Sequence, residues 1–402
     1  MTSFDSTPQL NAWRALLALA VVFVMLATSG WTALHSHRAP SPLQASRSAW
    51  EHGSIAGHRL PDPDATPARL AGFFDTLDAH QRARLAHRYP LAVGNMNGAP
   101  VTLRYQANRL ALQHERKVEQ RRTHDKRFSA VGQYDAGRRM HRYEALLDGD
   151  RKILAFDPNG SGRIAEVFGD LDTARRVSVV VPGVDTDLLT FQRTDKQYSA
   201  PVGMASSLYA AQRAADPAAR TAVIAWADYT APSGLGIDSA TAMRAQEGAV
   251  RLNALLRALP GTKPVALYCH SYGSVLCGVA AHSLPSRVSD IAVAGSPGMR
   301  AASTAGLHTT ARVWAMRDAD DWIRDVPHLE VGGLGHGADP VSKGFGARLL
   351  SADGAKGHAG YFQPGTESLR NFAEIGIGAY RAVRCAHDDG GCRAGLSAAT
   401  AA

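Results

Sequence analysis

The 402-residue sequence lacks the motifs by which most metal-dependent and nucleotide-dependent enzymes hold their cofactors. It contains no H-E-x-x-H, no C-x-x-C pair and no D-x-D-x-D-G loop, so no common zinc or calcium ligand set is present. The Gly-rich stretch 160–162 lacks the lysine of a phosphate-binding loop. No internal repeat or low-complexity tract is found. We therefore expect a non-repetitive protein that uses no metal and no other cofactor.

Acidic residues are the scarcer charged class, with 36 Asp and Glu against 44 Lys and Arg and a formal net charge of +8. The basic residues concentrate between Arg104 and Arg142, mixed with Glu115, Glu119 and Asp125 at near-helical spacing. Such a mixture is typical of a solvated helix face and not of a nucleic-acid surface. We expect no nucleic-acid partner.

One long apolar run, residues 15–27 (ALLALAVVFVMLA), lies near the N-terminus and continues weakly to residue 34. A bilayer span needs about 18–20 apolar residues and a signal-peptide core is shorter, so this run falls between the two. Residues 1–34 are therefore interpreted as an uncleaved signal anchor, with a cleaved signal peptide as the alternative. Both predict that the folded part is exported, either membrane-anchored and facing outside or secreted.

Cysteine is rare, with four residues in the whole chain. Cys385 and Cys392 bracket a polar, Gly-rich loop that an exported protein could close as a disulfide. Cys269 and Cys277 lie in the apolar centre of the sequence and are interpreted as buried thiols.

The remaining chain divides by composition and periodicity. Residues 35–65, rich in Pro, Ser, His and Arg, indicate a linker, and residues 66–143 a helical N-terminal region in two or more pieces. Residues 145–157 resemble a hairpin turning at Gly149. An α/β domain is predicted over residues 144–384, followed by a C-terminal tail over 385–402.

Short apolar strands alternate with helices in the α/β domain. The predicted strands are 177–181, 222–226, 265–268, 291–294, 313–316 and, weakly, 348–352. The predicted helices are 202–215, 239–259, 273–283 and 368–383. Continuous apolar strands suit a parallel sheet buried on both faces, and the alternation implies right-handed crossovers. The fold class is therefore α/β, with a mostly parallel, doubly wound sheet of the α/β-hydrolase type.

Ser271 stands at the point where the strand 265–268 leads into an apolar helix, within the pentapeptide C-H-S-Y-G. The usual nucleophile elbow is G-x-S-x-G, a tight strand-to-helix turn that exposes the serine hydroxyl. Cys269 replaces the first glycine. The oxyanion formed on attack would bind the N–H groups of Tyr272, after the nucleophile, and of Val184, in the loop after the strand 177–181.

The acid and the base are expected after later strands, in the chain order serine, acid, histidine. The strand 313–316 leads into a loop with three aspartates, of which Asp321 is preferred and Asp320 and Asp318 are alternatives. His358, between flanking glycines and before the last helix, is the predicted base. His336 is its rival.

Together these segments resemble the bacterial α/β-hydrolase family once catalogued as a domain of unknown function, DUF1023. The similarity lies in residues 94–109, 169–186, 269–274, 313–323 and 357–362 (GHAGYF), in the same order. The resemblance implies a triad of Ser271, Asp321 and His358. The family usually has glycine where this chain has Cys269.

The predicted function is a serine hydrolase that cleaves acyl esters of a small or lipid-like substrate through an acyl-enzyme. A peptidase or amidase on the same triad is one alternative. The other is a catalytically silent binding module at the membrane. The helical N-terminal region and the loop after Trp226 are expected to cover the substrate pocket.

Overall fold

A computed structural model describes residues 40–386 and 390–396 of the chain. The predicted anchor or signal segment, residues 1–34, lies outside this range. Within the described residues, none of the helices has the length and apolar character that a membrane span requires.

In the described part of the chain, eight strands form one central sheet, and two short hairpins stand apart from it. The strands in chain order are β1 Ser54–Ile55, β2 His58–Arg59, β3 Lys152–Asp157, β4 Arg163–Gly169, β5 Arg176–Val181, β6 Thr221–Ala227, β7 Val265–His270, β8 Val288–Ala294, β9 Arg312–Met316, β10 Glu330–Val331, β11 Leu334–Gly335 and β12 Arg348–Leu349. The sheet order is β12-β9-β8-β7-β5-β6-β4-β3. All neighbours from β12 to β6 are parallel, whereas β4 pairs antiparallel with β6 and with β3.

Helices cover both faces of the sheet, as the alternating sequence pattern predicts. They are α1 Pro42–Glu51, α2 Pro67–Asp75, α3 Ala79–Arg88, α4 Pro90–Gly94, α5 Val101–Arg122, α6 Ala130–Leu147, α7 Pro201–Ala215, α8 Ile237–Ala240, α9 Met243–Ala258, α10 Tyr272–Ala280 and α11 Glu367–Ile377. One apolar core contains α9 and α10, and another contains α7 and α11. The mostly parallel α/β-hydrolase sheet is therefore confirmed.

The hairpin predicted over residues 145–157 is wrong. Helix α6 continues through Leu147, because Tyr143 and Leu146 keep the helical spacing and are both buried. The true hairpin is β3–β4, which turns through Gly160 and Gly162, both with positive φ. The sequence pattern missed β4 because a polar, Gly-rich segment precedes it.

The predicted linker is also wrong from residue 42 onward. Helix α1 and the β1–β2 hairpin occupy this segment, and the Trp50 side chain is fully buried. Trp50 lies edge-on against Tyr89 and near Phe74, in an apolar core shared with the predicted helical N-terminal region. A few large apolar side chains outweigh the loop-like composition, because each buries much surface on folding.

The Arg-rich region is less solvated than its composition predicts. Arg104, on α5, is only 4% exposed, and its Nε donates to the Gly94 carbonyl. The buried Glu119 pairs with Arg122 and Arg139. The Arg122 pair lies within α5, and the Arg139 pair attaches α6 to α5, so part of the charge on this region is structural.

Candidate active site

Ser271 lies in the turn between β7 and α10 with φ 54° and ψ −128°. A positive φ at a residue other than glycine is strained and costs on the order of 1–3 kcal/mol. The surrounding structure holds the conformation, since the Ser271 N–H donates to the Ala294 carbonyl and the Ser274 hydroxyl donates to the Ser271 carbonyl. A side chain at Gly273 would place its Cβ 2.3 Å from the Val181 carbonyl oxygen. The segment therefore has the backbone geometry of a nucleophile elbow, with Cys269 in place of the first glycine of the motif.

The loop after β5 passes directly beside the serine. A Cβ on Gly183 would lie 2.7 Å from Ser271 Cβ and 3.0 Å from its Oγ, so only glycine permits this approach. The Tyr229 hydroxyl donates to the Pro182 carbonyl at 2.8 Å and supports the loop. The N–H of Val184 donates to no acceptor within the described residues. Tyr272 is the first residue of α10, where N–H groups have no partner inside the helix.

Asp321 and His358 are hydrogen bonded to each other. His358 Nδ1 lies 2.9 Å from Asp321 Oδ1 and 3.1 Å from Oδ2. Asp321 has no exposed surface, whereas the His358 ring is partly exposed. Gly295 (φ 55°) makes room for the pair, since a Cβ there would be 2.7 Å from Asp321 Oδ2. Because a carboxylate only accepts, His358 Nδ1 carries the proton and Nε2 is left as a proton acceptor.

Two further donors hold the Asp321 carboxylate. The Tyr361 hydroxyl donates to Oδ2 at 2.5 Å, and the Ile323 N–H donates to Oδ1 at 2.9 Å. Burial opposes ionisation of Asp321, but the hydrogen bonds from His358 and Tyr361 outweigh it and hold its pKa below the usual value. Asp321 is therefore a carboxylate at neutral pH.

The two rival aspartates occupy other positions. Asp318 Oδ2 accepts from the Gly357 N–H at 2.7 Å, and its own N–H donates to the Tyr361 hydroxyl. Asp320 is exposed. Asp318 thus braces the histidine loop, and of the three aspartates Asp321 is the one that is hydrogen bonded to the His358 ring.

The rival histidine, His336, lies elsewhere. Its ring stands edge-on against Tyr272, and Nε2 is 2.7 Å from the Ser239 carbonyl. Burial lowers its pKa, so the ring is neutral at pH 7. It does not line the cavity that contains Ser271.

A second histidine, His270, was not singled out in the sequence and packs against His358. Their ring centroids are 4.8 Å apart, and His270 Nε2 donates to the His358 carbonyl at 2.7 Å. Burial, helped by the neighbouring His358, lowers the pKa of His270 to about 3. The ring is therefore neutral and anchors the histidine loop without titrating near pH 7. The sequence feature that could have indicated this anchoring role is the position of His270 directly before Ser271.

A cavity of about 340 Å³ joins these elements. Its lining includes Ser271, His358, Gly183 and Val184. Trp322 forms one wall, and its ring centroid lies 4.9 Å from that of His358. The expected cover is wrong, because neither the helical N-terminal region nor the loop after Trp226 lines the cavity. Several residues of the segment 186–201 do so instead, namely Thr186, Thr190, Arg193, Lys196, Ser199, Ala200 and Pro201.

The prediction that Cys269 and Cys277 are free thiols is wrong. They form a disulfide between the end of β7 and the second turn of α10, with their Cα atoms 6.5 Å apart. The tight elbow brings the strand and the helix close enough for this bond. The residue that replaces the usual glycine therefore ties the two sides of the elbow together. Cys385 and Cys392 form a second disulfide.

The carboxylates near the sheet edge do not assemble into a metal site. Asp185 lines the cavity, Asp187 accepts from the Thr190 N–H, and Asp228 pairs with Arg251. Among the residues that the structure describes, no cluster of His, Cys, Asp or Glu could hold a metal ion.

Tyr361 is expected to be a positioning residue. Tyr361→Phe removes one donor to a buried carboxylate, which costs about 1–3 kcal/mol, so kcat should fall by about ten-fold or more with KM little changed. Steady-state kinetics with an activated ester would measure this effect. Tyr209→Phe, a half-buried tyrosine outside the cavity lining, is the matched control. An unchanged kcat in Tyr361→Phe would contradict the role.

Comparison with known proteins agrees with this architecture. The Alpha/beta hydrolase family model matches residues 157–331. Two curated proteins of Mycobacterium tuberculosis, Uncharacterized protein MT2140 and Uncharacterized protein Rv2079, are each 27% identical over 377 residues. The match covers 80% of this chain and 57% of theirs, so the chain spans little more than half the length of these relatives.

Two solved structures are more distant. A predicted CIB-like hydrolase from Thermoplasma acidophilum has 16% identity and a TM-score of 0.36, over 56% of this chain and 95% of that one. XC6422 from Xanthomonas campestris, an α/β serine hydrolase without lid, has 14% identity and a TM-score of 0.26, over 43% and 73%. Likeness at this level carries no argument about activity. The strand order, the elbow and the matched segment identify the fold of this chain as that of the α/β hydrolases.

Proposed function

We propose that this protein is a serine hydrolase that cleaves acyl esters. The observation that carries the proposal is the arrangement of the cavity. Ser271 reaches it from a strained elbow, and His358, hydrogen bonded to the buried Asp321, faces the same space. Nucleophile, base and orienting acid are the three groups that acyl transfer through an acyl-enzyme requires.

The proposed reaction begins with attack of Ser271 Oγ on the ester carbonyl carbon while His358 Nε2 accepts the hydroxyl proton. Asp321 holds the resulting imidazolium. The N–H groups of Val184 and Tyr272 stabilise the oxyanion. The intermediate then collapses, the carbon–oxygen bond breaks, and His358 returns the proton to the leaving alkoxide. Water attacks the acyl-enzyme by the same route and frees the acid.

Within the described residues no hydrogen bond joins Ser271 to His358. Both side chains line the same cavity. Because Nδ1 of His358 is hydrogen bonded to Asp321, Nε2 is the ring nitrogen left to accept the serine proton. Catalytic hydrogen bonds of this kind are often long without substrate and tighten when it binds. The proposal therefore requires the Ser271 hydroxyl and His358 Nε2 to come within hydrogen-bonding distance in the substrate complex.

We extend the proposal to the family type and to the compartment. The motif order supports the DUF1023 type, although the comparisons reach only the broader α/β-hydrolase level. Two disulfides support export to an oxidising compartment, whether the protein is secreted or anchored through residues 1–34.

A fluorophosphonate probe combined with paired p-nitrophenyl esters and p-nitroanilides would test the function. We expect the wild type to be labelled and to cleave the esters far faster than the anilides. Ser271→Ala should lose both properties. The matched control is Ser206→Ala, because Ser206 lies on α7 outside the cavity lining and its hydroxyl donates to the Gly203 carbonyl within the same helix.

The other outcomes separate the alternatives. Faster cleavage of the anilides would favour a peptidase or amidase on the same triad. A folded wild-type protein that is neither labelled nor active would be a silent binding module, and the proposed function would be wrong.

A further inference from the structure

Two positively charged side chains line the same cavity as the serine. Arg193 is half-buried and Lys196 is exposed, and both belong to the segment 186–201 that forms one wall. Neither forms an ion pair or a side-chain hydrogen bond with any other residue that the structure describes. Most other arginines near the sheet have such partners, as Arg251 does with Asp228. The two cations are thus available to a ligand.

The acidic residues nearby do not neutralise them. Among the described residues that line the cavity, Asp185 is the one carboxylate, and its Oδ1 accepts from the Gly234 N–H at 2.7 Å. Asp195 is exposed and forms no ion pair with another described residue. The lining therefore carries two positive charges against one carboxylate that is already hydrogen bonded.

The chain on either side of the cations is held in place. Arg142 donates to the Leu189 and Gln192 carbonyls at 2.7 and 2.8 Å, immediately before Arg193. After Lys196, a short turn leads into α7, and the Ser199 hydroxyl donates to the Lys196 carbonyl. Their position at the cavity is therefore built into the fold.

From this arrangement we propose that the substrate is an ester bearing an anionic group, such as a carboxylate or phosphate, which Arg193 and Lys196 bind. The inference rests on the proposed ester hydrolysis at Ser271. Charge-assisted hydrogen bonds to such a group are stronger than neutral ones, and a partly enclosed cavity weakens screening by water. Trp322, 43% exposed beside His358, offers an apolar wall for the rest of the substrate.

Two matched ester pairs would test the proposal at low ionic strength. The pair 4-acetoxy-3-nitrobenzoate and its methyl ester places the charge on the alcohol side. The pair p-nitrophenyl hydrogen adipate and p-nitrophenyl methyl adipate places it on the acyl side. The quantity measured is the ratio of kcat/KM for the anionic ester to kcat/KM for its neutral partner. Comparing this ratio between variants cancels the intrinsic reactivity of each ester.

The Arg193→Gln/Lys196→Gln double variant should lower the ratio by at least about ten-fold in one of the two series, and the series identifies the side that carries the charge. Lys117→Gln/Arg121→Gln is the matched control, because it removes the same charge from exposed positions on α5. The control should keep the wild-type ratio. Added salt should shrink the wild-type preference.

Equal ratios in the wild type and the Arg193/Lys196 variant, in both series, would overturn the anionic-substrate inference. So would an equal fall in the Lys117/Arg121 control, since the effect would then come from net charge. In both cases fluorophosphonate labelling of Ser271 would leave the hydrolase function standing. If no ester is cleaved and Ser271 is not labelled, the function and the inference both fail.

Discussion

His358→Ala is expected to lower kcat for an activated ester by about 10⁴-fold or more, with the protein still folded. The imidazole is the proton acceptor for Ser271, and no other ring in the cavity can replace it. His270 is adjacent, but its Nε2 is engaged by the His358 carbonyl and burial keeps it neutral, with a pKa of about 3. Stopped-flow or steady-state release of p-nitrophenol measures the loss.

The double variant Ser271→Ala/His358→Ala sharpens this prediction. Residues that act as one unit give non-additive losses, so the double variant should be about as slow as either single variant. His336→Gln is the control, since this ring contacts Tyr272 and Ser239 outside the cavity lining. Full activity in His358→Ala, or an equal loss in His336→Gln, would refute the assignment of the base.

Asp321→Asn is expected to lower kcat by about 10⁴-fold without unfolding the protein. Asparagine is close in size to aspartate, but it cannot accept from His358, Tyr361 and Ile323 in the same way. It can also donate to the ring and so hold the wrong tautomer of His358. Circular dichroism together with ester kinetics would separate loss of chemistry from loss of structure.

The neighbouring aspartates provide the matched controls. Asp320→Asn should stay close to wild type because Asp320 is exposed. Asp318→Asn should have an intermediate effect, since Asp318 Oδ2 holds the Gly357 N–H next to the base. If Asp320→Asn were inactive while Asp321→Asn kept its rate, Asp321 would not be the orienting acid.

Asp321 should make the free energy of unfolding depend on pH in the acidic range. Its pKa in the folded state lies below the ordinary value of 3.8, so its ionised form favours folding above that pH. This contribution should be lost as the pH falls from about 3.8 through the lower folded-state pKa. Urea unfolding of wild type and Asp321→Asn would measure this effect. We expect the difference between their free energies of unfolding to become smaller as the pH falls from neutral to acidic.

The sequence predicted the central sheet well because its signal is local. Uninterrupted runs of Val, Ile and Ala mark strands buried on both faces, and β5 to β9 all begin and end within three residues of the predicted bounds. Helix α11 ends early, at Ile377, because Gly378 adopts a left-handed conformation. The two-residue β12 was the weakest signal and is the shortest strand of the sheet.

Features that depend on contacts distant in sequence could not be predicted. The local composition around Trp50 is that of a linker, whereas its burial depends on contacts with Phe74 and Tyr89 farther along the chain. The Cys269–Cys277 disulfide depends on the closeness of strand and helix at the elbow, and spacing alone does not show this. The linker prediction and the free-thiol prediction are wrong for the same reason. Each was based on neighbouring residues in the sequence, whereas the structure depends on which segments pack together.

The candidate site shows the same contrast between features with a local sequence signal and features that depend on distant contacts. Motif order was sufficient to propose Ser271, Asp321 and His358, and the structure brings the last two into hydrogen-bonding contact. The supporting residues Tyr361 and His270 lie within the matched segments 357–362 and 269–274, but nothing in those segments indicates their supporting roles, and the cations Arg193 and Lys196 lie in a segment with no distinctive pattern. The cations reach the cavity through the segment after β5, His270 ends β7, and Tyr361 follows β12, so separate parts of the chain bring these residues to one edge of the sheet.

Peptide mapping after fluorophosphonate treatment would show directly whether Ser271 is the nucleophile. We expect a single phosphonylated residue, Ser271, whose modification parallels the loss of ester hydrolysis and is absent from Ser271→Ala. A stoichiometric adduct on a different serine, or an unmodified Ser271 in folded protein that still cleaves esters, would contradict it.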